Sequence, residues 1–209
     1  SAQELPAQYF QWLERGAADA NLRLNAENPL TLRALEAKPG GRHFPHIILA
    51  PAVLYTHSHA SNSRRGDASM LALALRIGDL LAAEDEQGRY TDRLDSYWDT
   101  YMWLEAYRLL EPRLGDARGA RWRAALLRNI ALVEKDCQAW KDFPRYTGVY
   151  IGTSTNHFAL WSLNLYLGGK VLRKPDWQAP GARIPHRPAT TGQSPRGFWG
   201  GTSPPRPPN

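Results

Sequence analysis

Apolar positions recur at helical spacing along most of the chain and then stop. Phe10, Leu13, Ala17 and Ala20 place an amphipathic helix over 6–24. From Asn28 to Arg65 the prolines, Gly40-Gly41 and the run His57-Ser58-His59-Ala60-Ser61-Asn62-Ser63 interrupt the periodicity. Loop, short helix and an extended piece at Ile47 to Leu54 are expected there. Asp67 is a good N-cap for the next helix, over 69–83, whose Met70, Leu73, Ala74, Ile77, Leu80 and Leu81 form one stripe. A third helix runs from Asp92 to Leu110 through Leu94, Trp98, Tyr101, Met102, Glu105 and Leu109, and Pro112 with Gly115 ends it. Asp116 caps a further long helix reaching about Trp140 through Trp122, Ala125, Leu126, Asn129, Leu132 and Val133. After a hydroxyl-rich loop, Ser154 or Thr155 caps a last helix carrying Asn156 to Leu167, and Gly168-Gly169 stops it. The expected fold is all-α, and short connectors make sequential helices antiparallel. Periodicity alone is equally compatible with a bundle, a helical solenoid or part of an α/α toroid.

The pattern changes at Pro175. Nine of the 16 prolines lie from there to the end, among glycine and arginine, with no apolar periodicity. A helical domain over 1–174 and a disordered tail over 175–209 are therefore expected. So abrupt a change suggests a truncated longer domain or a shifted reading frame.

Composition narrows the classes. At 43% hydrophobic content the 209 residues suit one globular domain or slightly more. The eight Trp and nine Tyr suit a core as well as surfaces that meet sugars or other flat ligands. The net charge of +6 lies wholly from Lys170 onward, where seven Lys or Arg face one acid, Asp176; residues 1–169 hold 19 of each sign. A neutral body lacks the basic face that specific nucleic-acid binding requires. No stretch approaches a membrane span, and the chain begins without Met or a signal-like segment, so any signal peptide is expected to be removed or never present. The single Cys137 cannot form an internal disulfide and reads as a buried, inert thiol.

Candidate chemistry concentrates at Asn156-His157-Phe158-Ala159-Leu160-Trp161. A helix N-terminus disfavours the imidazolium ion, which leaves His157 neutral and competent as a base. The Asn156 amide can donate to a uronate carboxylate and to the enolate-like charge formed when the C5 proton leaves. Trp161, one turn beyond His157, would stack on the sugar ring. The plainer alternative is that Asn156 and His157 only cap the helix.

The run Tyr146-Thr-Gly-Val-Tyr-Ile-Gly-Thr-Ser-Thr-Asn-His-Phe-Ala-Leu-Trp161, continuing to Tyr-Leu-Gly-Gly169, resembles the Asn-His helix of α/α-toroid polysaccharide lyases, the alginate lyases and heparinase II/III-like enzymes. With the hairpin pattern of 67–140, the resemblance covers Ser61 to Trp177 and implies antiparallel hairpins forming part of an (α/α) toroid. It implies β-elimination on an acidic, uronate-containing polysaccharide, with Asn156 neutralising the carboxylate and His157 removing the C5 proton. It implies no cofactor, and it implies export to the periplasm or outside the cell. The family's tyrosine acid and companion arginine usually come from elsewhere in the toroid; Tyr146, Tyr150 and Arg145 are the nearby substitutes. Tyr166 fits poorly, since nine helical residues beyond His157 reach the opposite face.

Other groupings compete. His43, His46, His57 and His59 put four imidazoles within seventeen positions, but the spacing matches no tight metal signature and no metal site is assigned. His57 and His59 are instead candidates to line a substrate cleft. Asp95 and Asp99, with Trp98 and Tyr101 beside them as candidate substrate-binding aromatics, suggest a helical-toroid glycoside hydrolase. No Gly-x-Ser-x-Gly and no phosphate-cradling Gly-x-x-x-x-Gly-Lys-Ser/Thr run occurs. A non-catalytic helical scaffold binding a glycan or protein is the remaining class.

Overall fold

In a computed structural model of the chain, which describes residues 4–25, 47–88, 96–139 and 155–178, the first helix, α1, spans Glu4–Asn25. For 4, 23, 25, 96–99, 136–139 and 155–159 the backbone alone enters the description. Phe10, Ala17, Ala20 and Leu24 form the buried stripe of α1. All the regular structure among the described residues is helical. None of their helices is long and apolar enough to cross a membrane. The chain falls into two compact units, Ser1–Asn129 and Ile130–Asn209.

The extended piece expected at Ile47 to Leu54 is instead helical. A single 3-10 turn at 47–48 leads into α2, Leu49–Thr56. Pro51 sits in the first turn of α2, where backbone N–H groups have no intrahelical acceptor, so the missing donor costs nothing. The β-branched pair Ile47-Ile48 imitates a strand, but Ile48, Ala52 and Leu54 are buried among helices. A short apolar run of this kind does not declare its own geometry.

Helix α3, Ala68–Glu86, begins as expected at Asp67, whose carboxylate accepts the Ser69 N–H at 2.8 Å. Its Leu73, Ala74, Ile77 and Leu81 are buried. The next helical stretch, α4, spans Ser96–Ala139 and is broken at Gly115, where φ is 66° and ψ 166°. That conformation is essentially open to glycine alone. Helix continues through Pro112, so Gly115 makes the break and the proline does not. The two arms fold back on each other. In a straight helix Trp103 and Trp122 would stand about 28 Å apart at 1.5 Å per residue, yet their ring centroids are 6.2 Å apart.

Polar pairs fix the order of these helices. Asp79 of α3 accepts from Arg118 Nε at 3.0 Å and from Trp122 Nε1 at 2.9 Å. Six residues on, Asp85 accepts from Arg128 Nε at 2.8 Å and from Asn129 Nδ2 at 2.9 Å. Partners advance together, so α3 and the second arm of α4 run parallel. On the other side, Gly16 of α1 lies against Ala50 of α2 and Phe10 lies against His57, so α1 and α2 are antiparallel. Helices α1, α2 and α3 pack mutually. Helices adjacent in sequence, α1 with α2 and the two arms of α4, thus run antiparallel, while α3 lies parallel to the second arm of α4.

Close packing explains one glycine. A Cβ on Gly78 would overlap the Trp122 indole, coming within 2.6 Å of Cε2 and closer still to Cζ2 and Cη2. The second unit contains α5, Thr155–Val171. Gly168 and Gly169 do not stop this helix; they lie inside it. A Cβ on Gly168 would come within 2.8 Å of Ile130 Cγ2, and one on Gly169 within 2.8 Å of the Gln178 backbone nitrogen. The stop comes at Arg173, whose φ of 58° is left-handed, with Lys174 N–H donating to Gly169 O at 2.8 Å. This is the hydrogen-bond pattern of a Schellman cap. Residues 175–178 add a helical turn that buries Trp177, so the described fold reaches past the expected boundary at Lys174. The rest of the expected tail, 179–209, lies outside the described residues.

Candidate functional site

The best-defined polar surface is the turn 57–67, which joins α2 to α3. Its organiser is Asn62, 7% exposed. The Asn62 amide Nδ2 donates to Leu54 O at 2.9 Å and His57 O at 2.8 Å, while Oδ1 accepts the Arg64 N–H at 3.1 Å. One side chain thereby ties the end of α2 to both halves of the turn. Gly66, at φ 77°, donates its N–H to Tyr55 O at 2.9 Å. Asp67 closes the turn, accepting from Ser69 Oγ at 2.6 Å and Arg64 Nη1 at 2.9 Å as well as from the Ser69 N–H. The Ser69 hydroxyl, followed by the Ser69 N–H and Arg64, holds the Asp67 carboxyl down at about 2.

His57 and His59 are exposed on this frame. Both rings rest near Phe10 of α1, at centroid distances of 5.9 and 5.5 Å. His59 Nδ1 accepts the Ser61 N–H at 3.1 Å, so in the neutral ring the proton sits on Nε2. His59 is therefore set as an outward hydrogen-bond donor and is poorly set as a metal ligand or general base. Ser63 Oγ donates to Glu14 Oε1 at 3.1 Å, and a groove of about 240 Å³ opens beside it, lined by Glu14, Asn21, Arg64 and Ser69 over Ala17 and Leu73. No group of three metal-binding side chains occurs among the described residues.

The Asn156-His157 pair lies in the second unit. Helix α5 begins at Thr155, so both residues occupy its first turn. Their side chains lie outside the description, as do Arg145, Tyr146 and Tyr150 entirely. Trp161 is buried, 7% exposed, one turn beyond His157 on α5. Tyr101 is half-buried, and Trp98 is described by backbone alone. His43, His46 and Asp95 lie outside the described residues, and so do the side chains of Asp99 and Cys137. Compared with protein-family models, characterised proteins and solved structures, the chain gives no match.

Sequence reasoning marked His57 and His59 but passed over Phe10, Asn62 and Glu14. Asn62 had a local signal, since an amide inside a run of turn-forming residues commonly bonds nearby backbone. Phe10 had none: it reads as an ordinary core position of α1, 47 residues before His57 in the chain.

Proposed function

We propose that the chain is a polysaccharide lyase-type domain acting on an acidic, uronate-containing glycan by β-elimination. The observation that carries this reading is the start of α5 at Thr155, which sets Asn156 and His157 in a helical first turn. The partial positive charge of a helix N-terminus favours a substrate carboxylate there and disfavours imidazolium, keeping a histidine available as base. In the proposed reaction the His157 imidazole takes the C5 proton while Asn156 donates to the uronate carboxylate. The C5 electron pair then forms the C4–C5 double bond as the C4–O4 bond breaks. The departing O4 takes its proton from a tyrosine, for which Tyr146 and Tyr150 are the nearest in sequence. The wider toroid and an exported location belong to the same proposal.

The test is ultraviolet absorbance of the unsaturated uronate during incubation of the chain with alginate, heparin, chondroitin or pectate. A rise with at least one polymer, lost in His157→Ala, is the expected result. No rise with any polymer sinks the reading. A second reading, a glycan- or protein-binding scaffold, is favoured by Tyr9 and Trp12 of α1, which are 54% and 57% exposed and meet edge to face at 5.3 Å. That reading expects binding without turnover.

A further inference from the structure

The turn 57–67 is longer and more firmly pinned than a helix connection needs to be. Its backbone is ordered by the buried Asn62, by Gly66 and by Asp67, while His57, Ser58, His59, Ser63, Arg64 and Arg65 stay exposed. Ordering an irregular segment costs backbone conformational entropy. Fixing it in advance lowers what a ligand must supply on binding.

The exposed groups have one chemistry in common. His59 has its acceptor nitrogen occupied by Ser61 and offers Nε2–H. The His57 ring has no hydrogen bond among the described residues and sits beside the same phenyl ring. Arg64 is already engaged by Asp67 at 2.9 Å and by Glu14 at 4.0 Å. Arg65 is exposed next to it. Donors therefore predominate over acceptors, and the serine hydroxyls supply partners for a hydroxylated ligand. Neutrality over residues 1–169 argues against a nucleic-acid backbone, which needs a broad basic face.

We infer that the 57–67 turn is a binding surface for an acidic sugar unit, with His57, His59 and Arg65 donating to its carboxylate or sulfate oxygens. Asn62 is the positioning residue that holds the two histidines over Phe10. The choice of a sugar as the anion's carrier rests on the proposed lyase function; the anion-binding geometry does not.

The experiment is calorimetric titration of the whole chain, as His157→Ala so that nothing is consumed, with an alginate tetrasaccharide, a heparin tetrasaccharide and neutral cellotetraose. Adding His57→Ala and His59→Ala together should weaken binding of the acidic ligands by about tenfold or more, with an unchanged helical circular dichroism spectrum. Preference for the alginate or the heparin ligand identifies carboxylate or sulfate as the group recognised. In histidine ring NMR spectra, His57 and His59 should shift on addition of the acidic ligand and stay in place with cellotetraose. Asn62→Ala should weaken binding while both imidazoles remain present. Unchanged affinity in the double histidine variant, equal binding of cellotetraose, or no binding to the parent chain overturns the inference. The two proposals separate cleanly. Binding lost in the double variant, with no absorbance rise on any polymer, leaves this surface standing without the lyase. Turnover and binding untouched by the double variant do the reverse.

Discussion

Two helix connections in the first unit accomplish a similar change of direction with very different means. Between the arms of α4, a single residue, Gly115, does it with a φ of 66°, and a Cβ placed there would meet nothing within 4 Å. Between α2 and α3 the chain uses the turn 57–67, a buried asparagine, a left-handed glycine and a capping aspartate. If reversing direction were the whole task, one glycine would do. The residues added in the longer turn present imidazole, hydroxyl and guanidinium groups to solvent, which is why the binding proposal is placed there. Loops fixed by a rigid frame are where binding residues collect.

Both connections hang on the packed helices of the first unit, and the largest expected effect comes from breaking that frame. Trp122→Ala removes a fully buried indole that fills the space left by Gly78 and donates to Asp79. A loss of about 3–5 kcal/mol in urea denaturation is expected. A loss well below that range would mean that the first unit repacks easily and that its turns are not held by its core.

Asn62→Ala comes next. It leaves the Leu54 and His57 carbonyls without their amide donor, at a cost of about 1–3 kcal/mol. Hydrogen exchange should speed up at the Arg64 and Gly66 amides while the interior of α3 remains protected. Gly115→Ala is expected to cost about 1–2 kcal/mol through backbone strain alone, since there is open space for the methyl group. Unlike Asn62→Ala, it should leave binding of an acidic tetrasaccharide intact, and that contrast sharpens the distinction between a connector and a site.

The smallest expected effect is a pH response confined to the longer turn. The Asp67 carboxyl is lowered from 3.8 to about 2 by Ser69 and Arg64, so the cap's contribution is fully present above about pH 3.8. It is lost as pH falls through about 2. Carboxyl NMR titration should find the Asp67 midpoint near 2, and Ser69→Ala should move it upward. A midpoint near 3.8 in the parent chain would show that the carboxylate does not hold the turn.

Elements that carry their own signal are legible in the sequence. Asp67 before a regular apolar stripe gave the start of α3, and of the pair Pro112 and Gly115 expected to end the next helix, Gly115 makes the break, because capping and glycine conformation are local physics. Elements decided by distant contacts are not. Ile47-Ile48 favours a strand locally, and only packing against α1 and α3 makes the following segment a helix. Gly168-Gly169 looks like a stop until Ile130 and Gln178 are seen to occupy the space of two missing Cβ atoms. The candidate chemistry divides in the same way. The histidines are visible as residue types, but the Phe10 ring beneath them and the Ser61 N–H that fixes the His59 proton become visible only in three dimensions.

The most direct test of the proposed chemistry is the mass spectrum of the sugar products released from an acidic polymer by the purified chain. β-Elimination leaves the new non-reducing end lighter by one water than hydrolysis would, so the two reactions separate without any assumption about the site. Unsaturated ends with the parent chain, absent with His157→Ala, are the predicted result. Saturated ends, or unsaturated ends that persist in His157→Ala, would contradict the assignment of His157 as the base.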